Sequence, residues 1–307
     1  MKMNNVLDFH ADDFGISKNS CNDIFSLIND GCLNSISILP NMEHFEYGVN
    51  LLNQLSDEQM THLNISVHLN FMEGKCCSNK DLIPDLVDEK GFFTVSWKKL
   101  FIWNYNPLKK KKIINQLKTE IDAQCRKCVD SGIYKSKKLR FDSHQHPHMI
   151  PIFQKALFSV IQEYKKIGIE TEFVRNSRDI LSSYIFHLNL YKTFSLVNII
   201  KCLILNFFSH SLKRKLKKNN LSDQYLSGVF FSGNMDYERL SVILPSYAKK
   251  AEKKNLSMEV LFHPGTVLES EITTEFVKPD FNIFHLSTGR KIEFDSVKIF
   301  KEKGWIR

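Results

Sequence analysis

The sequence predicts an α/β fold in which about seven parallel strands curl into a (β/α) barrel-like sheet, and three observations predict it. Strand-like and helix-like hydrophobic patterns alternate along the 307 residues, as in parallel strands joined by crossover helices. Polar side chains follow six of the predicted strands at their carboxyl ends, and a curled sheet would bring these ends to one mouth. The chain has neither a G-x-G-x-x-G nor a Walker sequence, which disfavours a nucleotide-binding sheet.

The individual elements follow from hydrophobic periodicity and from residues that end helices and strands. Residues 6–11 alternate apolar and polar side chains, which predicts a strand, and the helical spacing over 22–30 stops at Gly31. Pro40 ends the second strand. The seven strands are predicted at 6–11, 35–39, 64–69, 139–141, 172–174, 228–231 and 258–262. Helices are predicted at 22–30, 45–55, 110–131, 151–167 and 237–254, with a long loop over 71–97.

Composition indicates one large globular domain. With 43% hydrophobic and 25% charged residues, 24 Phe and only 12 Gly, the chain is unlike a disordered or collagen-like protein. Barrels of alternating strands and helices reach this length as single units, so we predict one domain over 1–307 with a helical insertion around 180–225. The sequence contains no stretch of 18 apolar residues, so no membrane span is predicted.

The net charge of +8 and the seven cysteines bear on partners and location. Lysine clusters at 109–112, 135–138 and 213–218 are typical of solvated helix faces, and no nucleic-acid motif accompanies them, so we expect no nucleic-acid partner. An odd cysteine count without an apolar leader predicts a cytoplasmic protein. Cys125 and Cys128 form a C-x-x-C inside a predicted helix with no second pair, so a zinc knuckle is disfavoured.

The segment over 191–219 has two interpretations. It joins an apolar helical pattern to the basic run His-Ser-Leu-Lys-Arg-Lys at 210–215. It could cover the outside of the barrel with its lysines in water, or it could contact anionic lipid headgroups at the inner face of the membrane. The sequence leaves this peripheral membrane contact open, and it leaves a homodimer open as well.

Three imidazoles and a carboxylate lie within the run Phe-Asp-Ser-His-Gln-His-Pro-His at 141–148. A strand ends here, and Pro147 disfavours a regular helix through the group, so we predict a metal or catalytic role. Alternate residues of a strand share a face, so His144 and His146 could both point into the mouth. Either could bind a metal while the other orients a ligand or contacts the substrate.

Two adjacent carboxylates, Asp12 and Asp13, end the first predicted strand. One of them could only cap the following helix, but two in succession suggest different roles. One carboxylate could bind a cation while the other takes a proton from the water held there. His68 and His263 follow two further strands, and their shared place at the predicted mouth makes them candidates too.

In this order and at these spacings, the segments ADDFGIS, SVHLN, DSHQHPH and FHPG resemble the YdjC family of carbohydrate deacetylases. This group includes chitooligosaccharide deacetylases and hopanoid-biosynthesis proteins of the HpnK type. The likeness covers most of the chain, and weaker segments agree with it, namely EKGFF at 89–93, Arg175 and FSG at 231–233.

The resemblance implies a (β/α) barrel hydrolase of the glycoside hydrolase/deacetylase type that removes an acetyl group from an N-acetylated sugar. It implies one divalent cation held by Asp13, His68 and His144, with Asp12 as general base and His263 as general acid. The sugar could be a free oligosaccharide or linked to a nucleotide or a lipid. Family resemblance implies Mg²⁺, whereas two imidazole ligands would favour Zn²⁺ or another transition ion. The residues expected to contact the substrate or orient the ligands are His10, Asn70, His146 and Arg175.

His10 departs from the family pattern, which has a polar amide there in many members. It motivates a rival hypothesis, an amidohydrolase-like or polymerase-and-histidinol-phosphatase-like barrel with two or three metals. Those families usually open with a His-x-His pair rather than Ala-Asp-Asp. A second alternative is a catalytically silent sugar-binding protein on the same barrel, against which the full set of acid, base and ligands argues.

Overall fold

The computed structural model describes residues 6–134, 138–184, 187–273, 276 and 279–306. Its centre is one seven-stranded parallel sheet in the order β5-β4-β3-β2-β1-β7-β6. The strands are β1 (Leu7–Phe14), β2 (Ser35–Ile38), β3 (Asn64–Leu69), β4 (Lys138–Ser143), β5 (Glu170–Val174), β6 (Gln224–Ser227) and β7 (Ser257–Phe262). Crossover helices join the strands, as parallel pairing requires.

The sheet is curled into a half-barrel, which confirms the predicted fold class. Arg175 follows edge strand β5, yet its Nε lies 2.6 Å from Oε1 of Glu259 on β7. Five strand spacings of about 4.8 Å separate β5 from β7 in a flat sheet, far beyond the reach of one side chain. The two edges meet beyond β5, where the N–H of Leu226 on β6 donates to the carbonyl oxygen of Arg178 at 2.9 Å.

Ten helices surround the sheet in the described part of the chain. They are α1 (Lys18–Asn29), α2 (Phe45–Leu52), α3 (Asp57–His62), α4 (Trp97–Tyr105), α5 (Pro107–Asp130), α6 (Pro151–Lys166), α7 (Leu196–Lys218), α8 (Tyr237–Glu252), α9 (Pro279–His285) and α10 (Gly289–Glu302). The ends follow sequence signals, since the Ser17 side chain accepts from the N–H of Ser20 at the start of α1 and Pro107 begins α5. The predicted insertion around 180–225 contains α7, with residues 185 and 186 outside the described part.

The predicted sixth strand at 228–231 is wrong, because β6 lies four residues earlier at Gln224–Ser227. The apolar run is buried by packing rather than by strand pairing. The Phe230 ring stacks on Tyr184 at 3.8 Å, and a Cβ on Gly228 would lie 2.6 Å from Cβ of Leu261. An apolar run between turn signals does not reveal which kind of burial it serves.

Two features of the described residues bear on the predictions about membrane spans and lysine clusters. Within those residues, no helix has both the length and the apolar composition that a membrane span needs. Of the predicted lysine clusters, Lys109, Lys111, Lys112, Lys213, Lys217 and Lys218 are exposed, while residues 135–137 lie outside the described part.

Candidate metal centre and active site

Strand β1 carries two consecutive carboxylates into the interior because its backbone is irregular there. Its register with β2 shifts between Ala11 and Phe14, and Asp13 has a positive φ of 68°. Consecutive side chains of a regular strand point to opposite faces, and such an irregularity redirects them. Oδ2 of Asp12 and Oδ1 of Asp13 lie 3.7 and 3.6 Å from Nε2 of His68. Both buried carboxylates therefore face one imidazole.

The imidazole of His68 is held from its far side by the neighbouring strand. His68 on β3 pairs in register with Asp142 on β4, and its Nδ1 lies 2.6 Å from Oδ1 of that carboxylate. Nε2 is buried and makes no hydrogen bond with any described residue. Because Asp142 uses Nδ1, Nε2 is the nitrogen left to bind a ligand.

His144 follows β4 and repeats this arrangement. Its Nδ1 lies 2.9 Å from Oδ1 of Asp13, and its Nε2 lies 2.9 Å from Oε2 of Glu73. Each imidazole thus turns one nitrogen toward Asp13 and the other toward a buried carboxylate. Histidines that bind metals usually have such a partner on the second nitrogen.

The two β1 carboxylates differ in what else they contact. Arg175 donates to both oxygens of Asp12, at 2.8 and 2.9 Å. Arg290 donates to Oδ2 of Asp13 at 2.7 Å, which leaves Oδ1 directed at the imidazoles. Asp13 is therefore better placed than Asp12 to complete a ligand set with His68 and His144.

The donor set fits a divalent cation. Oδ1 of Asp13, Nε2 of His68 and Nδ1 of His144 all lie within 4.8 Å of one another and are buried. Two ligands of one cation at roughly 2.1 Å each lie no more than about 4.2 Å apart, and the oxygen of Asp13 lies 3.6 and 2.9 Å from the two nitrogens. The sequence-predicted set is therefore brought together.

The charges around the two imidazoles agree with this fit. Four buried carboxylates, Asp12, Asp13, Glu73 and Asp142, surround them, against the guanidiniums of Arg175 and Arg290. Burial of such an excess of at least two negative charges costs free energy unless it is balanced. One divalent cation or two protons on the imidazoles would balance it.

The pKa values of the centre follow from the same contacts. Burial alone would lower the pKa of His68 and of His144, but Asp12 and Asp142 raise the first to about 10 and Asp13 and Glu73 raise the second to about 9. Burial would raise the pKa of the Glu73 carboxyl, and its hydrogen bonds to the imidazoles of His144 and His285 lower it to about 2.

Two other predicted residues take part through hydrogen bonds. Oδ1 of Asn70 accepts the N–H groups of Met72 and Glu73, which fixes the loop that presents the Glu73 carboxylate. The ring nitrogens of His10 lie 2.6 Å from the hydroxyl oxygens of Ser35 and Ser37. The buried His10 ring is also 3.1 Å from Asp12, so it is placed to orient that carboxylate.

The remaining predicted residues line the mouth. His263 follows β7, next to Asp12 in the register that pairs Ala11 with Phe262. Its Nδ1 lies 3.6 Å from Oε2 of Glu293, and its side chain is 15% exposed. Nδ1 of His146 lies 3.1 Å from the hydroxyl oxygen of Ser177, and the residue is half-buried.

Four residues of this centre were not among the residues predicted from the sequence: Glu73, Asp142, His285 and Arg290. Asp142 lies inside the histidine run at 141–148, but no individual role was predicted for it. Nε2 of His285 lies 3.0 Å from Glu73, and its Nδ1 lies 2.8 Å from Arg290. For Glu73, the only available sign of a role was its position in the predicted loop, three residues after Asn70. For His285 and Arg290 there was no sign, because the sequence after residue 265 has no recognisable motif.

Comparison with known proteins found a family model and several relatives that this chain resembles. The sequence profile of the family described as YdjC-like protein matches residues 6–298. A carbohydrate deacetylase of Clostridium beijerinckii is 26% identical over 202 residues, 63% of this chain and 74% of the relative. Carbohydrate deacetylases of Brevibacillus brevis and Vibrio parahaemolyticus are each 28% identical, over 51% and 48% of this chain. The alignments cover only 55% and 53% of these two relatives, about half of their length.

A solved structure shares the whole architecture. It is described as a cellobiose-phosphate cleavage protein of Enterococcus faecalis V583, and it superposes with a TM-score of 0.59 over 97% of this chain and 94% of its own. The two sequences are 19% identical, so the likeness concerns the fold.

Proposed function

Because the chain belongs to the YdjC-like family and its mouth holds a buried Asp–His–His centre, we propose that it is a metal-dependent carbohydrate deacetylase. The observation that supports this most is the buried, unpartnered Nε2 of His68, which faces Oδ1 of Asp13 at 3.6 Å. The named relatives support the sugar substrate, since all three are carbohydrate deacetylases.

Asp13, His68 and His144 would hold the cation. When bound, a divalent cation polarises an amide carbonyl, lowers the pKa of water and stabilises the oxyanion that forms on attack. One carboxylate and two imidazoles suit Zn²⁺ or another transition ion better than Mg²⁺, which prefers oxygen ligands. The family resemblance favours Mg²⁺, so metal analysis of the purified protein has to decide between them.

Asp12 would accept the proton of the attacking water. Burial would raise the pKa of its carboxyl, but Arg175 and His68 hold that pKa well below its usual range. The carboxylate is therefore ionised at neutral pH. Arg175 fixes both of its oxygens, and His10 contacts one of them, so its orientation is set before substrate binds.

His263 would protonate the departing amine. An amine cannot leave as an anion, so an acid is needed at the opposite side of the carbonyl from the base. His263 is in register beside Asp12 and has the Glu293 carboxylate 3.6 Å behind its Nδ1. His146 and Asn70 complete the mouth, His146 toward the substrate and Asn70 through the Glu73 loop.

The test is acetate release from N-acetylated sugars presented free, nucleotide-linked and lipid-linked, together with metal analysis. Chelation should abolish hydrolysis, and Asp13→Ala, His68→Ala and His144→Ala should each lose bound metal. His62→Ala, at an exposed histidine of α3, is the matched control and should keep both. Full metal content and unchanged activity in His144→Ala would move the ligand role to His146.

The same experiment separates the alternatives. Two or more tightly bound metal ions per chain would favour the multi-metal barrels, against which the use of both His10 nitrogens by serine hydroxyls argues. Sugar binding without acetate release would indicate a catalytically silent binding protein. A cytoplasmic location and a homodimer stay predictions.

A further inference from the structure

Two stretches of the chain carry positive charge without any acidic residue. Residues 97–119 and 180–222 contain seven Lys or Arg each and no Asp or Glu. The rest of the chain has 28 basic and 34 acidic residues, so the excess of positive charge lies entirely in these two stretches. Such a separation favours an anionic partner at these stretches rather than a uniformly basic protein.

The same stretches expose apolar side chains. Of the eighteen large apolar side chains exposed in the described residues, eleven lie here: six on α7, four around the junction of α4 and α5, and Tyr191 before α7. On α7 they form a stripe at helical spacing, and each is 42–71% exposed: Leu196, Val197, Ile200, Leu203, Ile204 and Phe207. Basic residues Arg214 and Lys218 continue the same side of α7 by its 3.6-residue period. Contiguous exposed apolar side chains mark an interaction surface.

The two stretches form one surface. The Trp97 ring of α4 lies 6.5 Å from that of Phe208 on α7. Between them, Lys155 of α6 is close enough to repel Lys110 of α5 and Lys215 of α7. Partial burial and this repulsion lower the pKa of both lysines. We use the name basic–apolar surface for helix α4, the first turns of α5 and the whole of α7.

We propose that the basic–apolar surface docks this protein on the surface of an anionic lipid bilayer. Aliphatic side chains at helical spacing can enter the boundary of the acyl chains while lysines meet lipid phosphates. A second copy fits less well, because a twofold contact would press two surfaces that each carry an excess of lysines against one another. Nucleic acid fits less well because five of the six exposed apolar side chains of the α7 stripe are aliphatic and offer no ring for bases to stack on.

The docked orientation bears on the substrate. Nε1 of Trp97 donates to the carbonyl oxygen of Gln145 at 2.9 Å, and Gln145 adjoins the candidate ligand His144. The basic–apolar surface therefore borders the mouth of the sheet, and docking would place that mouth beside the headgroups. If the proposed deacetylase function holds, the substrate class is an N-acetylated sugar carried by a membrane lipid.

The test is co-sedimentation of the full chain with phosphatidylcholine vesicles, with and without about 30% phosphatidylglycerol. We expect binding only to the anionic vesicles, with a loss as salt rises and the Debye length falls below about 8 Å. Arg214→Ser, Lys217→Ser and Lys218→Ser combined should weaken partitioning roughly 100-fold, at about fivefold for each exposed charge near the surface. Leu203→Ser, Ile204→Ser and Phe207→Ser combined should weaken it at least about tenfold.

The matched control removes the same charge elsewhere. Lys249→Ser, Lys253→Ser and Lys254→Ser on and after α8 are exposed and should leave partitioning unchanged. Equal partitioning of wild type and both surface variants would overturn the proposal. A wild type that is dimeric without lipid, a monomeric apolar variant and no vesicle binding would instead show an interface between copies. Vesicle binding without acetate release from any sugar would uphold docking and refute only the deacetylase function.

Discussion

At the centre in the mouth of the sheet, Asp12, Asp13, Glu73 and Asp142 each lie 2.6 to 2.9 Å from a guanidinium or an imidazole. The two stretches that supply the basic–apolar surface, 97–119 and 180–222, hold fourteen basic residues and no acidic residue, although Lys112, Lys118 and Lys213 pair with carboxylates of other segments. The first region compensates its charges internally and leaves room for one cation. The second leaves most of its charges without a carboxylate partner among the described residues, and so for an external partner. The comparison teaches that local compensation, rather than net charge, indicates what each region binds.

The largest expected effect is the removal of an internal counter-charge. Arg175→Ala leaves Asp12, Asp142 and Glu259 buried without their shared guanidinium. The free energy of unfolding should fall by about 3–5 kcal/mol, as for other broken buried pairs. Urea denaturation at pH 7 measures it. Arg126→Ala, at a 71% exposed side chain paired with Asp122, should change it by less than about 0.5 kcal/mol.

The second test separates the two adjacent carboxylates. Asp12→Asn should keep its metal and lose turnover roughly 10²-fold or more, because a general base is removed. Asp13→Asn should lose the metal. Metal content by mass spectrometry and acetate release together measure both. If Asp12→Asn loses the metal instead, the roles of the two residues are exchanged.

A smaller effect is expected at the carboxylate behind a ligand. Glu73→Gln removes the negative charge 2.9 Å from Nε2 of His144 and should weaken metal affinity about 10- to 100-fold. Titration with a competing chelator measures it. Glu163→Gln, which alters an exposed ion pair with Lys118, is the matched control. Equal affinities in the two variants would mean that Glu73 supports the C-terminal segment rather than the ligand.

Stability against pH sharpens the comparison for the metal-free protein. The folded pKa values of His68 and His144, about 10 and 9, exceed the unfolded value of 6.5, so their contribution is full below pH 6.5 and lost as pH rises toward 10. For Glu73 the folded pKa of about 2 lies below 4.5, so its contribution is lost as pH falls below 4.5. Urea unfolding in chelator should therefore be most difficult between pH 4.5 and 6.5. The free energy of unfolding should be lower by about 1 kcal/mol or more at pH 9.

Saturating metal should remove the alkaline part of this loss, because a cation would replace the protons on both imidazoles. An alkaline loss of the same size with and without metal would show that these histidines do not bind it.

The smallest effect is expected on the basic–apolar surface. The variant with Arg214→Ser, Lys217→Ser and Lys218→Ser should unfold within about 0.5 kcal/mol of the wild type, since exposed charges contribute little to folding. Its acetate release from a soluble N-acetyl sugar should be unchanged. A large loss of stability would mean that these residues hold α7 on the sheet.

Most strands and the gathering of polar residues at one mouth could be predicted because both depend on local patterns, whereas the choice of Asp13, His68 and His144 as ligands came from the resemblance to the YdjC family. Asp13, His68 and His144 each follow or end a strand, and parallel strands bring such ends together. Local patterns could not show that residues 228–231 are buried by packing rather than in a strand, because the Phe230 ring stacks on Tyr184, which is far away in sequence. The shared direction of the Asp12 and Asp13 side chains could not be predicted either, because it depends on one positive φ within β1.

The partners of the ligands were harder to predict than the ligands. His285 and Arg290 reach the centre from the segment beyond β7, and their contacts with Glu73 and Asp13 span 212 and 277 residues. No periodicity or spacing encodes such a contact, because it depends on how two distant segments pack. Asp142 could have been assigned by its register with His68, which requires knowledge of the strand order.

The placement of β1 sets the order in which the molecule can be completed during synthesis. β1 is paired on one side with β2, which follows soon after it, and on the other with β7, about 250 residues later. A chain growing from the ribosome can therefore build β1 to β5 early, while the other edge of β1 waits. Asp13 gains its guanidinium only when Arg290 has emerged. Until then an open strand edge and several carboxylates lack their partners, so the charge-compensated centre can form only after the C-terminal helix has been synthesised.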